Sequence, residues 1–333
     1  VDGQLEKFTI HDSRFTIYDS RFTIHDFMMT FIIKRLTLLF PVVFGVLTLV
    51  FLLIHLIPGD PVDLMLGENA QIADKETLRK ELRLDDPLGK QYLLFAGGVI
   101  SGNFGNSLHS GKPVIELILK RYPATIKLTV AAMIMALLIS LPTGIYSAIR
   151  QYSFMDNSSM FFALLGVSMP NFWLGPMLMI VFSVNMGLFP ISGDEGIRSI
   201  VLPAITLGTG MAAILSRMVR ASMLEVISQE YIVAARAKGL SEVRVILKHA
   251  LKNALVPVIT IVGLQFGALL AGAIITETIF SWPGIGRLLI QAINTRDYPL
   301  VQGCVLIISI SYVLINLMTD IAYSYIDPRI KLR

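Results

Sequence analysis

Charge is scarce in this sequence. Only 16% of its 333 residues are Asp, Glu, Lys or Arg, against roughly 25% in a soluble domain. With 54% hydrophobic residues and a mean hydropathy of +0.68, this excludes an ordinary soluble globule and points to an integral membrane protein. Cysteine is nearly absent. The single Cys304 excludes an internal disulfide and any multi-cysteine metal site, and its apolar setting reads as a packed thiol. A phosphate-binding loop is missing too. It needs Gly, four residues, then Gly-Lys-Ser/Thr; the nearest stretch, NSLHSGKP at 106–113, has Asn106 for the first Gly and Pro113 for the hydroxyl residue. The chain is therefore not read as an ATP-hydrolysing enzyme. The net charge of +4 is too small to imply nucleic acid. Basic residues in an oily chain mark cytoplasmic loops instead.

What is present begins with a repeat. FTIHDSR, FTIYDSR and FTIHDF fill residues 8–27. Phe and Ile stand two apart, which does not build the alternating apolar seam of a coiled coil, and no signal-peptide core is visible. Residues 1–28 are read as an extension, disordered or not native, with Met28 or Met29 as the natural start. Six stretches free of Asp, Glu, Lys and Arg then fall within 36–59, 128–149, 157–193, 199–216, 253–276 and 298–319. A crossing takes about 20 residues. Lipid cannot satisfy open backbone groups, so all six are expected to be helices. The expected fold is all-α and polytopic: a first membrane helix and folded outer loop over 29–123, then a five-helix core over 124–333.

Loop charges orient the chain. Arg217, Arg220, Arg236, Lys238, Arg244, Lys248 and Lys252 lie between spans four and five, Lys34 and Arg35 precede span one, and Arg329, Lys331 and Arg333 end the chain. For basic residues, the short loop at 184–198 has only Arg198, and that at 277–297 only Arg287 and Arg296. Both termini are expected in the cytoplasm of a multi-pass protein. In the long outer loop, 74–84 and 112–122 read as short amphipathic helices, with Val114, Leu117 and Ile118 of the second facing inward.

The stretch YIVAARAKGLSEVRVILKHALKN, 231–253, reads as helix, Gly turn, helix. Gly239 supplies the left-handed residue that ends a helix. Ser241 is a candidate N-cap, and Glu242 puts negative charge at the next helix's positive end. Val243, Ile246, Leu247, Ala250, Leu251 and Ala254 follow one side; Arg244, Lys248 and Lys252 repeat every four residues on another. Ala234, Ala235 and Ala237 would let a partner approach closely. Two readings stand: the basic stripe lies on anionic lipid head groups, or the element docks a cytoplasmic partner.

This segment resembles the "EAA" loop of inner-membrane permease subunits of binding-protein-dependent ABC importers. Aligned on Gly239, Ala234, Ala235 and Leu251 fit that pattern, while Val233, His249 and Lys252 depart from it. AARAKGL followed by HALKNALVPV is similar to the peptide and nickel branch. HLIPGDP (55–61), GNFGNS (102–107), RYPATIKL (121–128), the run 263–303 and DPRIKL (327–332) are similar as well, the run 263–303 most of all to dipeptide permeases. The resemblance spans about 29–333. It implies a type I importer permease in a prokaryotic inner membrane, with a coupling loop at about 220–253. It further implies a second, related permease subunit, two ATPase subunits that carry ATP and magnesium, and an external binding protein delivering di- or oligopeptides. Nickel or another small solute is the alternative within the family. Ala234, Ala235, Gly239, Leu240, Ser241 and Glu242 would lie at the ATPase joint, beside a basic face of Arg236, Lys238, Arg244, Lys248 and Lys252.

The pathway is less marked. Charged groups in or beside spans are functional suspects, so Glu277 and Asp320, with Trp282 in the outer loop, are the candidates for pathway or gate. Lys127 flanks a span, and His55 reads as a satisfied interfacial residue. An ion-coupled secondary transporter would show inverted repeats, and 29–333 has none. An intramembrane protease would need paired catalytic groups, and Asp320 has no Asp partner in another span.

Overall fold

The computed structural model describes residues 16–56, 60–66, 71–194 and 196–326. The first part of the repeat (1–15), Ile57, Pro58 and Gly59 of the HLIPGDP segment, and the tail with Arg329, Lys331 and Arg333 lie outside the described residues. Among the described residues every regular element is a helix, apart from one isolated bridge between Asn106 and Pro113.

Helix α1 is Thr16–Leu56. It begins inside the repeat, where the sequence suggests an extension without regular structure. No Pro or Gly lies between Thr16 and Phe40, so nothing halts a helix propagating back from the first span. Three short helices follow: α2 (Pro61–Leu66), α3 (Ile72–Glu81) and α4 (Leu88–Ile100). Then come α5 (Val114–Ile149), α6 (Phe154–Ser168) and α7 (Asn171–Leu178), the last continued by a π-helical segment, Met179–Asn185. Helix α8 is Ile197–Ile227. A hairpin of α9 (Glu230–Ala237), α10 (Glu242–Arg244) and a π segment (Val245–Ala250) leads into α11 (Leu251–Ile279). Helices α12 (Ile285–Asn294) and α13 (Tyr298–Ile326) close the chain.

Among the described residues, five helices are long and apolar enough to cross a membrane. The apolar stretch 157–193, long enough for a span plus an apolar loop, forms a pair of helical segments, Phe154–Ser168 and Asn171–Asn185, bent by 108°, which makes a sixth crossing if the pair counts as one span. Pro170 sits at the break as the N-cap of α7, where a proline cannot continue the preceding helix. A second difference concerns 112–122, expected as a separate outer helix. It forms the opening turns of α5, which runs on through Pro123 and across the boundary expected at 123/124. Val114 and Ile118 do face inward, both fully buried.

Helices α5 and α8 make the central pair. Glycine permits their close approach: a β-carbon at Gly208 would lie 2.6 Å from the Ala132 carbonyl oxygen, and one at Gly144 would lie 2.7 Å from Val219 Cβ. Backbone proximity of this kind substitutes in lipid for the hydrophobic drive that is missing there. The main core gathers α5, α8, α11 and the hairpin. A second core joins the start of α5 to α12 and α13 and contains Cys304, as a packed thiol. Large apolar residues such as Phe40, Leu49, Phe161 and Phe162 remain exposed on α1 and α6, as surfaces meant for lipid or another membrane subunit require.

The two ends of the bundle are unlike. At one end, α2–α4 and the 101–113 turn form a cap. Ser107 Oγ donates to Asp297 Oδ2 at 2.6 Å, and a His109 ring nitrogen meets the Thr295 carbonyl at 2.8 Å, so the cap is tied to the α12–α13 turn. His55 Nε2 and Gln91 Oε1 are 3.1 Å apart, which satisfies His55. The hairpin lies at the other end.

Candidate functional site

Residue chemistry builds the hairpin in order. Helix α9 stops at Ala237, where the Lys238 N–H donates to the Ala234 carbonyl and the Gly239 N–H to that of Arg236. Gly239 then takes φ +75°, the left-handed geometry that favours glycine. Ser241 does not cap with its side chain; its carbonyl instead accepts from the Val245 N–H. Glu242 reaches back over the turn to Arg236, with Nε–Oε1 at 2.7 Å. Asn253 Nδ2 donates to the Tyr231 hydroxyl at 2.7 Å, clamping the base of the hairpin.

Burial separates the two faces. Ile232, Ala235, Val245, Ile246, Ala250 and Ala254 pack into the main core. Val243 and Leu247, expected on the packed side, are 68% and 55% exposed. The reason is the π segment. Its i→i+5 bonding adds a residue to the turn, which brings Val245 and Ala250 onto one face. Val243 and Leu247 are left outside with Ala234, Gly239, Ser241 and Glu242. Arg236, Lys238, Arg244, Lys248 and Lys252 are all exposed, and Leu240 is half-buried against the core. The hairpin therefore presents a small apolar patch amid cations. Gly239 has open space around its α-carbon, so Gly239→Ala should cost only the backbone penalty, about 1–2 kcal/mol. Thermal unfolding in detergent checks this.

A buried ion pair holds the hairpin's support. Arg220 of α8 grips Asp156 in the first turn of α6, with Nε–Oδ1 and Nη2–Oδ2 both at 2.8 Å. Asp156 Oδ2 also accepts from the Tyr152 N–H, and the Asp156 N–H donates to the Ser153 hydroxyl, the N-cap of α6. Sequence alone marks Arg220 only as a loop charge and does not single out Asp156.

At the cap end a second network surrounds Glu277. Its side chain is fully buried. Oε1 accepts from the Thr125 hydroxyl at 2.6 Å, and Oε2 from the Gly286 and Arg287 N–H groups at 2.7 and 3.1 Å. Thr125 Oγ1 in turn accepts from the Ile285 N–H. A carboxylate thus caps the N-terminus of α12, the polarity that the helix dipole favours. A β-carbon at Gly284 or Gly286 would collide with the same carboxylate. Trp282 Nε1 donates to the Ala124 carbonyl at 2.8 Å, and its ring borders a cavity of about 820 Å³. The structure thus brings Glu277 and Trp282 together. It leaves Asp320 at the hairpin end, paired with Arg35 of α1 at 2.7 Å.

Residues 140–332 match the family described as the inner membrane component of binding-protein-dependent transport systems, and residues 28–129 match the N-terminal part of the same membrane component. The chain belongs to this family. Among relatives of this transport component, the dipeptide transport system permease protein DppB of Alkalihalophilus pseudofirmus is 46% identical over 332 residues, covering 91% of this chain and 100% of the relative. The glutathione transport system permease protein GsiC of Escherichia coli K12 is 42% identical over 304 residues, covering 91% of this chain and 99% of the relative. In fold, the transport component aligns with a chain of the MetNI methionine ABC transporter in an inward-facing conformation. The TM-score is 0.55 at 18% identity, over 63% of this chain and 96% of that one. The fold is that of an ABC importer permease, and the protein is a multi-pass inner-membrane component.

Proposed function

We propose that this chain is the permease subunit of an ATP-driven importer, forming the pathway for di- or oligopeptides that an external binding protein delivers. The names of its relatives support the peptide class. The hairpin carries the rest of the reading. It exposes Val243 and Leu247 amid cations on an element whose other face is locked into the core. That form suits a coupling element seated on a cytoplasmic ATPase. Two ATPase subunits would bind ATP and magnesium and perform the hydrolysis, and a second, related permease would complete the pathway. Both termini and the hairpin would then lie in the cytoplasm, with the cap outside.

The hairpin shares its buried residues with α5, α8 and α11, so a displacement applied to it moves a packed unit rather than a loop. ATP-driven closure of the ATPases would bias the permease between inward- and outward-facing states, through contacts that differ in the two. Leu247→Asp tests the joint. Leu247 is exposed, so folding should be spared, while a carboxylate at an apolar contact should weaken ATPase capture at least about tenfold. Co-purification in mild detergent measures it. Failure of the wild-type protein to retain any ATPase would defeat the reading.

A further inference from the structure

The cavity of about 820 Å³ towards the cap end is bounded by the stretch of α5 from Lys120 to Ile134, the start of α8 and the Trp282–Pro283 turn. Its polar groups divide by sign. Lys120 and Lys127 line it from α5, seven residues apart and so on one helix face, with Arg121 beside them. The N-terminus of α8, at Gly196 and Ile197, opens on the same space and adds partial positive charge. Among the described residues, Asp194 is the one acidic group in the lining. The remaining wall is apolar, including Val130, Ile134 and Trp282.

Lys127 is exposed on a membrane-crossing helix. Among the described residues its ammonium has no hydrogen bond or ion pair, whereas Arg35, Arg220 and Arg236 are each paired with a carboxylate. An ionised group left unpaired beside apolar walls marks a place for a ligand. We propose that this cavity is the outer vestibule, in which Lys127, assisted by Lys120 and Arg121, receives the terminal carboxylate of a short peptide while Asp194 faces its ammonium end. The inference rests on the peptide-importer reading and adds the groups that receive the zwitterion. The volume suits a short peptide, since small-molecule sites occupy about 300–1,000 Å³. An exposed lysine also suits passage, because a pathway must hold its solute weakly enough to release it.

The test uses the whole transporter in liposomes, with its partner subunits and loaded binding protein. Initial uptake of a labelled dipeptide and ATP hydrolysis are measured for wild type, Lys127→Met and Lys127→Arg. Methionine should reduce uptake about tenfold, the scale of one charge-assisted hydrogen bond. Arginine keeps the positive charge, though it grips a carboxylate with a bidentate fork, so it should retain clearly more uptake than methionine. Subunit assembly and basal ATP hydrolysis should be unchanged in both. Wild-type uptake by Lys127→Met, or equal loss in Lys127→Arg, overturns the vestibule assignment while leaving the importer reading intact. Absence of dipeptide uptake by the wild-type complex overturns the peptide-importer reading itself.

Discussion

Arg220→Met is expected to lower stability by about 3–5 kcal/mol, more than any substitution at its partner. The asymmetry follows from exposure. Asp156 has a side chain only 2% accessible, whereas that of Arg220 is 23% accessible. Removing the arginine strands a buried carboxylate with only neutral donors to answer it, the Tyr152 N–H at Oδ2 and the nearby Ser147 hydroxyl. Removing the acid leaves a guanidinium that can turn its head outward while its stem stays packed, so Asp156→Asn should cost about 1–3 kcal/mol. The double variant Asp156→Leu, Arg220→Met should recover most of the loss, because replacing a buried pair by apolar groups is often neutral. A double-mutant cycle on detergent-solubilised protein, read as thermal half-unfolding, measures the coupling. Near-additive losses would show that the pair is not a unit. The damage should also reach transport, since Arg220 stands on the helix that ends in the hairpin.

How far the sequence reveals this architecture depends on the range of the interaction. Gly239 was legible because a left-handed residue after an alanine-rich helix has a local cause. So was the basic stripe, whose four-residue repeat needs no tertiary knowledge. The buried face was read less well. A 3.6-residue period places Val243 and Leu247 inside, and nothing local announces the π segment that displaces them. Ser241 has the right side chain for a cap, yet its hydroxyl makes no cap bond. Helix α12 carries a plain local signal. Ile285, Leu288, Leu289 and Ala292 keep helical spacing, and all are buried, but the Trp-Pro-Gly turn before them reads as a loop. Pairings such as Arg220 with Asp156, or Glu277 with Thr125, join residues 64 and 152 positions apart. Their partners become visible only when α5, α6, α8 and α11 are set side by side.

Glu277→Ala should be the most damaging change at the cap end, at about 3 kcal/mol or more. Three donors lose their acceptor at once: the Thr125 hydroxyl and the Gly286 and Arg287 N–H groups. Each buried group left unsatisfied costs about 1–3 kcal/mol, and α12 also loses the negative charge at its N-terminus. Glu277→Gln should be milder. Its amide oxygen can stay with the two backbone donors while its NH2 turns to Thr125, whose hydroxyl is able to accept. That ordering separates hydrogen-bond geometry from charge. If glutamine proves as harmful as alanine, the negative charge itself is the requirement. Emission from Trp282 gives a local readout, taken in a Trp173→Phe background because the chain has two tryptophans. With α12 uncapped, the turn that holds Trp282 Nε1 on the Ala124 carbonyl should loosen, and its emission should shift to the red as the ring meets water. An unshifted spectrum in a folded Glu277→Ala protein would mean that the Trp282 wall of the cavity is held by packing alone. Glu277 would then have no part in shaping the path.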